Sequence, residues 1–478
     1  MTSRGQGRQK SIDIVLESVI RERRTSMRTA VKFLAIIFLL VSRAASQETR
    51  LPATAHLLAY VEAFNSGNPA QMKAFIQEHF SDAALRQTSA EERLSRYAPA
   101  KSRWESFTVQ KILAERPGRT FALIRAGNGD YILLRASAEK DPPHRLMLIF
   151  AEPVENPDNL IIPEPLATDE DLATGVGRFL EAATKADEFS GVVLIAKNFQ
   201  VLFLEAYGWA DRDKKIANLK NTKFNLGSIN KNFTRAAILQ LEKRGKLSLK
   251  DTIGKFLPDY PNRQAAQKVT VKHLLDMTSG IGDFFGPRYE ATPKEKIKSI
   301  RDYLPLFADK PLEFEPGLKN KYSNGGYVVL GAIIEKASGQ DYYTYIRENI
   351  YKPCGMSDSD SYEREAAVPN LALGYTRRGR KEGERVLNRA TLPGRGSSAG
   401  GGYSTAQDLL KYVVALDAGK IFLPDIANGL GIAGGAPGIN ATLDWDRRNG
   451  YVVIVLSNFD PPTAGHAARQ IISWLPES

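Results

Sequence analysis

The spacing of hydrophobic positions between residues 54 and 151 changes from a helical period to a strand period. Leu57, Val61 and Phe64 fall on one helical face, and the helical pattern resumes after a Gly-Asn-Pro break and runs to Phe80. Four alternating runs follow, separated by short polar or Gly/Pro turns: Phe107–Leu113, Thr120–Ala126, Tyr131–Ala136 and Arg145–Ala151. This order predicts a small α+β domain over residues 47–153, with an antiparallel sheet packed by the preceding helices.

A second pattern begins after a Pro- and acid-rich stretch, which predicts a linker over residues 154–171. Gly191–Ala196 and Gln200–Ala206 are apolar runs around a Lys-Asn turn, as in a hairpin. Tyr451–Leu456 predicts another strand, followed by a short helix over Ala464–Trp474. Strands at both ends with helices between them predict one α/β domain over residues 172–478, whose sheet is closed by distant parts of the chain.

The first 46 residues have the features of a secretory signal. Residues 33–41 are nine apolar residues, far fewer than the roughly 20 that a membrane-spanning helix needs. Arg28 and Lys32 precede this run, and the small residues of Ala44-Ala45-Ser46 follow it. We expect cleavage near Ser46, a periplasmic or secreted protein, and no stable transmembrane segment in the mature chain. Both Met1 and Met27 remain compatible with the true start.

Composition and charge narrow the function classes. The chain of 478 residues is 43% hydrophobic and 25% charged, as in ordinary globular proteins. Of the net charge of +11, residues 1–46 hold nine basic and three acidic residues. Since no basic stripe remains elsewhere, we expect no nucleic-acid partner. Cys354 is the only cysteine, and no clustered metal-ligand spacing or phosphate-binding glycine loop occurs, so we expect no metal and no cofactor.

The candidate chemistry lies in Ser228-Ile229-Asn230-Lys231, an S-x-x-K motif at the start of a predicted helix. The spacing of three residues places the serine and lysine side chains next to each other. A serine hydroxyl needs a base to become a nucleophile, and a partly desolvated lysine can serve. The helix N-terminus adds N–H groups toward a developing oxyanion.

A second motif supports the first. Tyr322-Ser323-Asn324 follows Ser228 by 94 residues. A tyrosine can act as general base or acid, and an asparagine amide can hold a substrate carbonyl. A second S-x-x-K, Ser137 to Lys140, has no such companion, so we assign it no function.

These motifs and their flanks resemble the serine beta-lactamase-related family, which includes class C beta-lactamases, D-alanyl-D-alanine carboxypeptidases and esterases. The similar segments are residues 224–234, 269–280, 371–376, 399–405 and 452–458. The resemblance implies a beta-lactamase/transpeptidase-like α/β sandwich, an antiparallel sheet with helices on both faces. It implies that Ser228 is the nucleophile, Lys231 its proton partner, Tyr322 a general base or acid, and Asn324 a substrate-orienting group. The preceding α+β domain is similar in element order to the nuclear-transport-factor-2-like cone.

One position departs from the family pattern. The family's third motif is Lys or His, any residue, then Gly; here Ile432 occupies the cationic position. The N–H of Gly435 can still complete an oxyanion hole with that of Ser228. A substrate carboxylate opposite isoleucine would lack a partner, which favours an esterase-like hydrolase acting on a small ester, amide or peptide. The alternatives are a beta-lactamase or D-Ala-D-Ala carboxypeptidase, or a catalytically silent ligand-binding homologue.

A competing motif is Gly396 to Gly400, a G-x-S-x-G centred on Ser398 with Asp446 and His466 downstream. A nucleophile elbow needs a buried strand directly before the serine and a helix directly after it. The turn-rich segment 391–396 predicts no such strand, and no helix is predicted to start directly after Ala399, so we interpret this match as a coincidence.

Overall fold

The computed structural model describes residues 51–116, 118–139, 141–154, 168–377, 384–424 and 426–476. The predicted signal region and most of the predicted linker lie outside these ranges. The chain divides into two compact units, residues 1–162 and 163–478. Each unit is described by itself.

Within its described residues, unit one contains helices followed by an antiparallel sheet in the order β1-β2-β3-β4. The elements are α1 (Pro52–Asn65), α2 (Pro69–His79), α3 (Asp82–Gln87), α4 (Ala90–Ser95), α5 (Tyr97–Trp104), β1 (Phe107–Arg116), β2 (Arg119–Ala126), β3 (Tyr131–Ala138) and β4 (Leu146–Val154). Leu57 and Phe64 of α1 are fully buried and belong to one apolar cluster with Ile124 of β2 and Leu134 of β3. The first three strands contain the first three runs predicted from the hydrophobic pattern, and β4 contains the fourth run except for Arg145.

Unit two has a larger set of helices around its sheet. The helices are α6 (Asp169–Lys185), α7 (Asn230–Lys243), α8 (Ile253–Phe256), α9 (Arg263–Lys268), α10 (Val271–Leu275), α11 (Pro287–Ala291), α12 (Ile300–Tyr303), α13 (Asn324–Ser338), α14 (Tyr342–Ile346), α15 (Lys352–Cys354), α16 (Ala406–Asp417) and α17 (Thr463–Trp474). The strands are β5 (Gly191–Lys197), β6 (Gln200–Tyr207), β7 (Trp209–Asp211), β8 (Ile216–Ala217), β9 (Phe224–Asn225), β10 (Tyr375–Thr376), β11 (Val386–Leu387), β12 (Tyr403–Ser404), β13 (Gly429–Ala436), β14 (Ile439–Asp446) and β15 (Tyr451–Ser457).

The central sheet of unit two is five-stranded and antiparallel, in the order β13-β14-β15-β5-β6. Its strands alternate between two hydrophobic cores. Leu194 and Ile454 pack in the cluster that contains α7 and α13. Ile195 and Val453 pack in the other cluster, with apolar side chains of α6 and α17. The sheet therefore carries helices on both faces, as predicted, and β5 pairs with β15 near the chain's other end.

Helix α6 begins at Asp169, inside the stretch predicted as a linker. Thr168 caps it, because the Thr168 side chain accepts a hydrogen bond from the backbone N–H of Asp171. Three acidic residues in the first turn match the positive end of the helix dipole. The acidic composition that suggested a linker thus belongs in part to a helix N-terminus. Across the described ranges, no helix is long and apolar enough to cross a membrane.

Candidate active site

Ser228 lies in a turn of 3-10 helix, Gly227–Ile229, between strand β9 and helix α7. Gly227 has a φ of +51°, a conformation in which a side chain would be strained. Its backbone N–H donates to the Asn225 side chain at 2.9 Å. The turn holds Ser228 at the N-terminal end of α7, partly exposed and lining a cleft.

The structure brings Ser228, Lys231 and Tyr322 together. The Ser228 Oγ lies 2.5 Å from the Tyr322 Oη and 3.2 Å from the Lys231 Nζ. The Lys231 Nζ also lies 4.7 Å from the centre of the Tyr322 ring. The serine hydroxyl thus lies within hydrogen-bonding distance of two groups that can exchange protons with it.

Lys231 is buried, with 6% of its surface exposed. Its Nζ donates to Ser228 Oγ, to Asn324 Oδ1 at 2.8 Å, and to the carbonyl oxygen of Ala399. These three acceptors match the three N–H groups of an ammonium. Burial lowers the pKa of Lys231 to about 7, against an opposing effect of the Asp283 charge. A substantial fraction of this lysine is therefore neutral near pH 7.

Tyr322 comes directly before the N-cap of α13, where the Ser323 Oγ accepts a hydrogen bond from the Gly326 N–H at 2.8 Å. Partial removal from water raises the pKa of the Tyr322 phenol. The hydrogen bond with Ser228 opposes this shift, and the charge of Asp283 adds to it. Tyr322 is therefore a protonated phenol at neutral pH, able to donate a proton but not to remove one.

Asn324 is the first residue of α13 and lies between Lys231 and Asp283. Its Oδ1 accepts from Lys231, and its Nδ2 donates to the Asp283 Oδ2 at 2.7 Å. Asn324 also lines the cleft, in which a substrate can bind.

Strand β13 forms the opposite wall of the cleft and runs close to the Ser228 turn. A Cβ on Gly434 would lie 2.0 Å from the Leu226 carbonyl oxygen and 2.7 Å from the Ser228 nitrogen. A Cβ on Gly227 would lie 2.9 Å from the Gly435 nitrogen. Only glycine permits this approach, which places the backbone N–H groups of Ser228 and Gly435 in one region. Ile432 packs against the hydrophobic core and is not among the cleft-lining residues.

The cleft has a volume of about 980 Å³ and lies within unit two. An aromatic wall of Phe284, Phe285 and Tyr289 lies along it. Two cationic side chains that line the cleft already donate hydrogen bonds to the backbone. Lys294 donates to carbonyls around α11, and Arg364 donates to the Arg389 and Leu392 carbonyls.

Arg395 is a third cationic side chain that lines the cleft, and it makes fewer hydrogen bonds than Lys294 or Arg364. Its Nε donates to the Ser361 carbonyl at 2.6 Å, and its guanidinium stacks 3.6 Å from the centre of the Tyr343 ring. The Nε is the only nitrogen of this side chain with a hydrogen-bond partner among the described residues.

The competing serines have no comparable surroundings. Ser398 is fully buried, and its Oγ has no partner within the described chain, so no substrate can reach it. Ser137 lies on β3 of unit one, and Lys140 lies outside the described residues. Cys354 is buried in an apolar environment that raises its thiol pKa to about 12. In the described ranges no cluster of three or more His, Cys, Asp or Glu side chains could hold a metal ion.

Two groups around Lys231 were not found from the sequence. The first is the carbonyl of Ala399, which any residue type would supply. The second is Asp283, which follows the family-like segment 269–280 by three residues and meets Asn324 across 41 positions. Its closeness in sequence to that segment is the one feature of the sequence that could have pointed to Asp283.

Comparisons with known proteins agree with the fold. The Beta-lactamase family model matches residues 178–430, more than half of the chain. The chain therefore belongs to the beta-lactamase family of serine hydrolases.

Among its relatives is the putative penicillin-binding protein PbpX of Bacillus subtilis, 31% identical over 292 residues. That match covers 56% of this chain and 71% of PbpX. Penicillin-binding protein 4* of the same species is 34% identical over 200 residues, 41% of this chain and 44% of the relative.

Solved structures show the same fold. A penicillin binding protein from Bacillus halodurans superposes with a TM-score of 0.55 at 27% identity, covering 62% of this chain and 98% of the other. A D-stereospecific amidohydrolase from Streptomyces superposes with a TM-score of 0.53 at 23% identity, covering 63% and 97%. The latter similarity bears on the fold alone.

Proposed function

We propose that this protein is a secreted or periplasmic hydrolase that cleaves an ester or amide bond through an acyl-enzyme on Ser228. The observation that carries the proposal is the position of the Ser228 Oγ, 3.2 Å from a buried lysine amine and 2.5 Å from a tyrosine hydroxyl. The accessible serine lines the cleft, whereas the lysine lies beneath it.

The pKa directions divide the roles of the two partners. Neutral Lys231 removes the Ser228 proton as the Oγ attacks the substrate carbonyl carbon. The carbonyl oxygen, now an oxyanion, accepts hydrogen bonds from the N–H groups of Ser228 and Gly435. The Tyr322 phenol gives its proton to the departing alkoxide or amine. The protonated Lys231 then gives a proton to Tyr322 and becomes neutral again. Attack of water on the ester of Ser228 then releases the acid and regenerates the serine.

The third-motif position favours a substrate that is neutral near the scissile bond. Ile432 is partly buried against the core and does not line the cleft, so β13 presents no cationic side chain from that position to the cleft. A carboxylate placed there would lose its hydration without gaining a charged partner. We therefore propose neutral esters as the preferred substrates.

A second candidate is hydrolysis of a substrate that carries a carboxylate, such as a D-amino-acid peptide or a beta-lactam. Arg395 supports it, because this lining cation has hydrogen-bonding capacity beyond its bond to Ser361. The names of the penicillin-binding relatives point in the same direction.

The test is adduct mapping with a fluorophosphonate probe, followed by turnover of a substrate panel. We expect the probe on Ser228, no labelling of Ser228→Ala, and hydrolysis of 4-nitrophenyl esters. An intact protein labelled at another residue, or not labelled, would contradict the proposal. Arg395→Gln separates the two candidates: it leaves neutral ester turnover unchanged and lowers turnover only of substrates with a free carboxylate.

Export is part of the proposal and has its own measurement. The apolar run at residues 33–41 with small residues at 44–46 supports it. We expect a mature N-terminus near Gln47 when the chain is expressed in a bacterium with its leader. A protein that stays in the cytoplasm with residues 27–46 intact would contradict export but not the hydrolase.

A further inference from the structure

Asp283 is a carboxylate beneath the candidate site that belongs to neither motif. Its Oδ2 accepts from the Asn324 Nδ2 at 2.7 Å, and its Oδ1 accepts from the Phe285 backbone N–H at 3.0 Å. It is half-buried and is not among the cleft-lining residues. Asp283 can therefore affect the reaction through the groups that it holds and through its charge, but not by lining the cleft.

The chemistry of the two groups that flank Asn324 leaves one orientation for its amide. An ionised carboxylate only accepts hydrogen bonds, so the Nδ2 must face Asp283. The Oδ1 must then face Lys231, at the observed 2.8 Å. A flipped amide would place its oxygen against the carboxylate and its NH₂ group against the lysine amine.

This orientation decides where the lone pair of neutral Lys231 points. A neutral amine has two N–H bonds and one lone pair. The carbonyl oxygens of Asn324 and Ala399 hold the two N–H bonds, and the Ser228 Oγ occupies the third, longest contact at 3.2 Å. The lone pair is then directed at the hydroxyl that must lose its proton. A flipped Asn324 amide would donate to that lone pair and compete with Ser228.

We propose that Asp283 is a positioning residue that locks the Asn324 amide, so that the amine of Lys231 presents its lone pair to Ser228. The inference rests on the proposed function, in which Lys231 is the base.

The charge of Asp283 adds a second, measurable effect. The groups that face the Lys231 amine are the Tyr322 ring, the Tyr327 ring at 5.6 Å, and Asp283 across Asn324, with Arg235 beyond Tyr327. Burial lowers the pKa of Lys231, and the Asp283 carboxylate raises it. Removing this carboxylate therefore leaves Lys231 neutral at lower pH.

The experiment measures the rate of fluorophosphonate labelling of Ser228 against pH in the full-length protein. Asp283→Asn removes the charge but keeps an amide oxygen that can accept from Asn324, whereas Asp283→Ala removes both. In both variants we expect the acid limb of the profile to move to lower pH by about one unit. We expect the alkaline plateau of Asp283→Asn to stay within about threefold of wild type and that of Asp283→Ala to fall by roughly tenfold or more.

The matched control is Asp309→Asn, which removes an exposed carboxylate paired with Arg288 at 2.6 Å. It should leave both limb and plateau unchanged. Unmoved limbs in both Asp283 variants would overturn the inference, and so would a shifted limb with a full plateau in Asp283→Ala, since charge alone would then explain the result. If Asp283→Ala fails to fold, Asp283→Leu takes its place, because leucine is similar in size to aspartate but has neither a charge nor an acceptor for Asn324, and its plateau decides. Absence of Ser228 labelling in wild type would instead overturn the proposed function.

Discussion

The behaviour of the site at the residue scale depends on one buried amine. Lys231 loses hydration on burial, and three hydrogen-bond acceptors together with the Asp283 charge recover part of the lost stabilisation of its ammonium form. The balance leaves its pKa at about 7. A lysine with the ordinary pKa near 10.4 would be almost fully protonated at neutral pH and could not act as a base.

The pH dependence of turnover follows from this balance. Because Lys231 must be neutral to accept the Ser228 proton, we expect kcat/KM for a neutral ester to rise with pH and level off above about 7. The measurement is initial-rate kinetics between pH 5 and 9, with Ser228→Ala as the background. A rise centred near pH 4 to 5 would assign the base to a carboxylate, and one near pH 10 would show that burial does not shift the lysine.

Tyr322 should contribute mainly through the leaving group. Its hydroxyl lies 2.5 Å from the Ser228 Oγ, and its raised pKa keeps it protonated. We expect Tyr322→Phe to lower kcat/KM for an ethyl ester by about 10² and for a 4-nitrophenyl ester much less, because nitrophenolate leaves without a proton. Equal losses on both esters would contradict the assignment of Tyr322 as proton donor. A thermal melt of the variant verifies its fold.

At the element scale, the sequence predicts individual helices and strands better than it predicts the contacts between them. The S-x-x-K spacing predicts that Ser228 and Lys231 are neighbours, because helical geometry alone places them so. The runs Gly191–Ala196 and Tyr451–Leu456, which are long and bounded by turns, predict strands that the structure extends by one residue each, to Lys197 and Ser457. The bond between Asp283 and Asn324 was not predictable, because it depends on how the loop after α10 packs against the start of α13.

The contact between β13 and the start of α7 gives a prediction with a control on the same strand. A Cβ on Gly434 would collide with the backbone at Leu226 and Ser228, whereas a Cβ on Gly431 would come no closer than 3.5 Å to the Asp444 Oδ1. Gly434→Ala should displace β13 from the oxyanion region and lower kcat/KM by about 10² or more. Gly431→Ala should keep near wild-type activity. Equal activity of the two variants would show that β13 does not need this approach.

At the scale of the whole molecule, each unit has its own hydrophobic packing: one core in the first unit and two cores, one on each face of the sheet, in the second. The cleft and its proposed catalytic groups all lie in the second unit. The first unit has its own core and a feature that the second lacks in its described residues, a pair of hydrogen-bonded histidines. The His56 Nδ1 and His79 Nδ1 lie 2.8 Å apart, so one ring must donate and the other accept.

This pair predicts that acid destabilises unit one. Burial lowers the pKa of both His56 and His79. The charge of His144 adds to the lowering at His56, and the charge of His56 adds to the lowering at His79. The unfolded chain binds protons with a pKa of about 6.5, so the free energy of unfolding is undiminished above that pH and falls as pH drops through it. Hydrogen exchange of the full-length protein at pH 5 and pH 8 should show lost protection in α1 and α2 at pH 5, while α7 and α13 keep theirs.

The variant His79→Gln provides the control, because an amide can hydrogen-bond to His56 but does not titrate near neutral pH. Its unit one should lose less protection between pH 8 and pH 5 than that of wild type, although its protection at pH 8 is lower because the stacking of His79 on Phe75 is gone. If His79→Gln and wild type lose protection equally, the acid sensitivity does not come from the histidine pair. Since the cleft lies wholly in unit two, labelling of Ser228 should follow the titration of Lys231 in both proteins, independent of this loss.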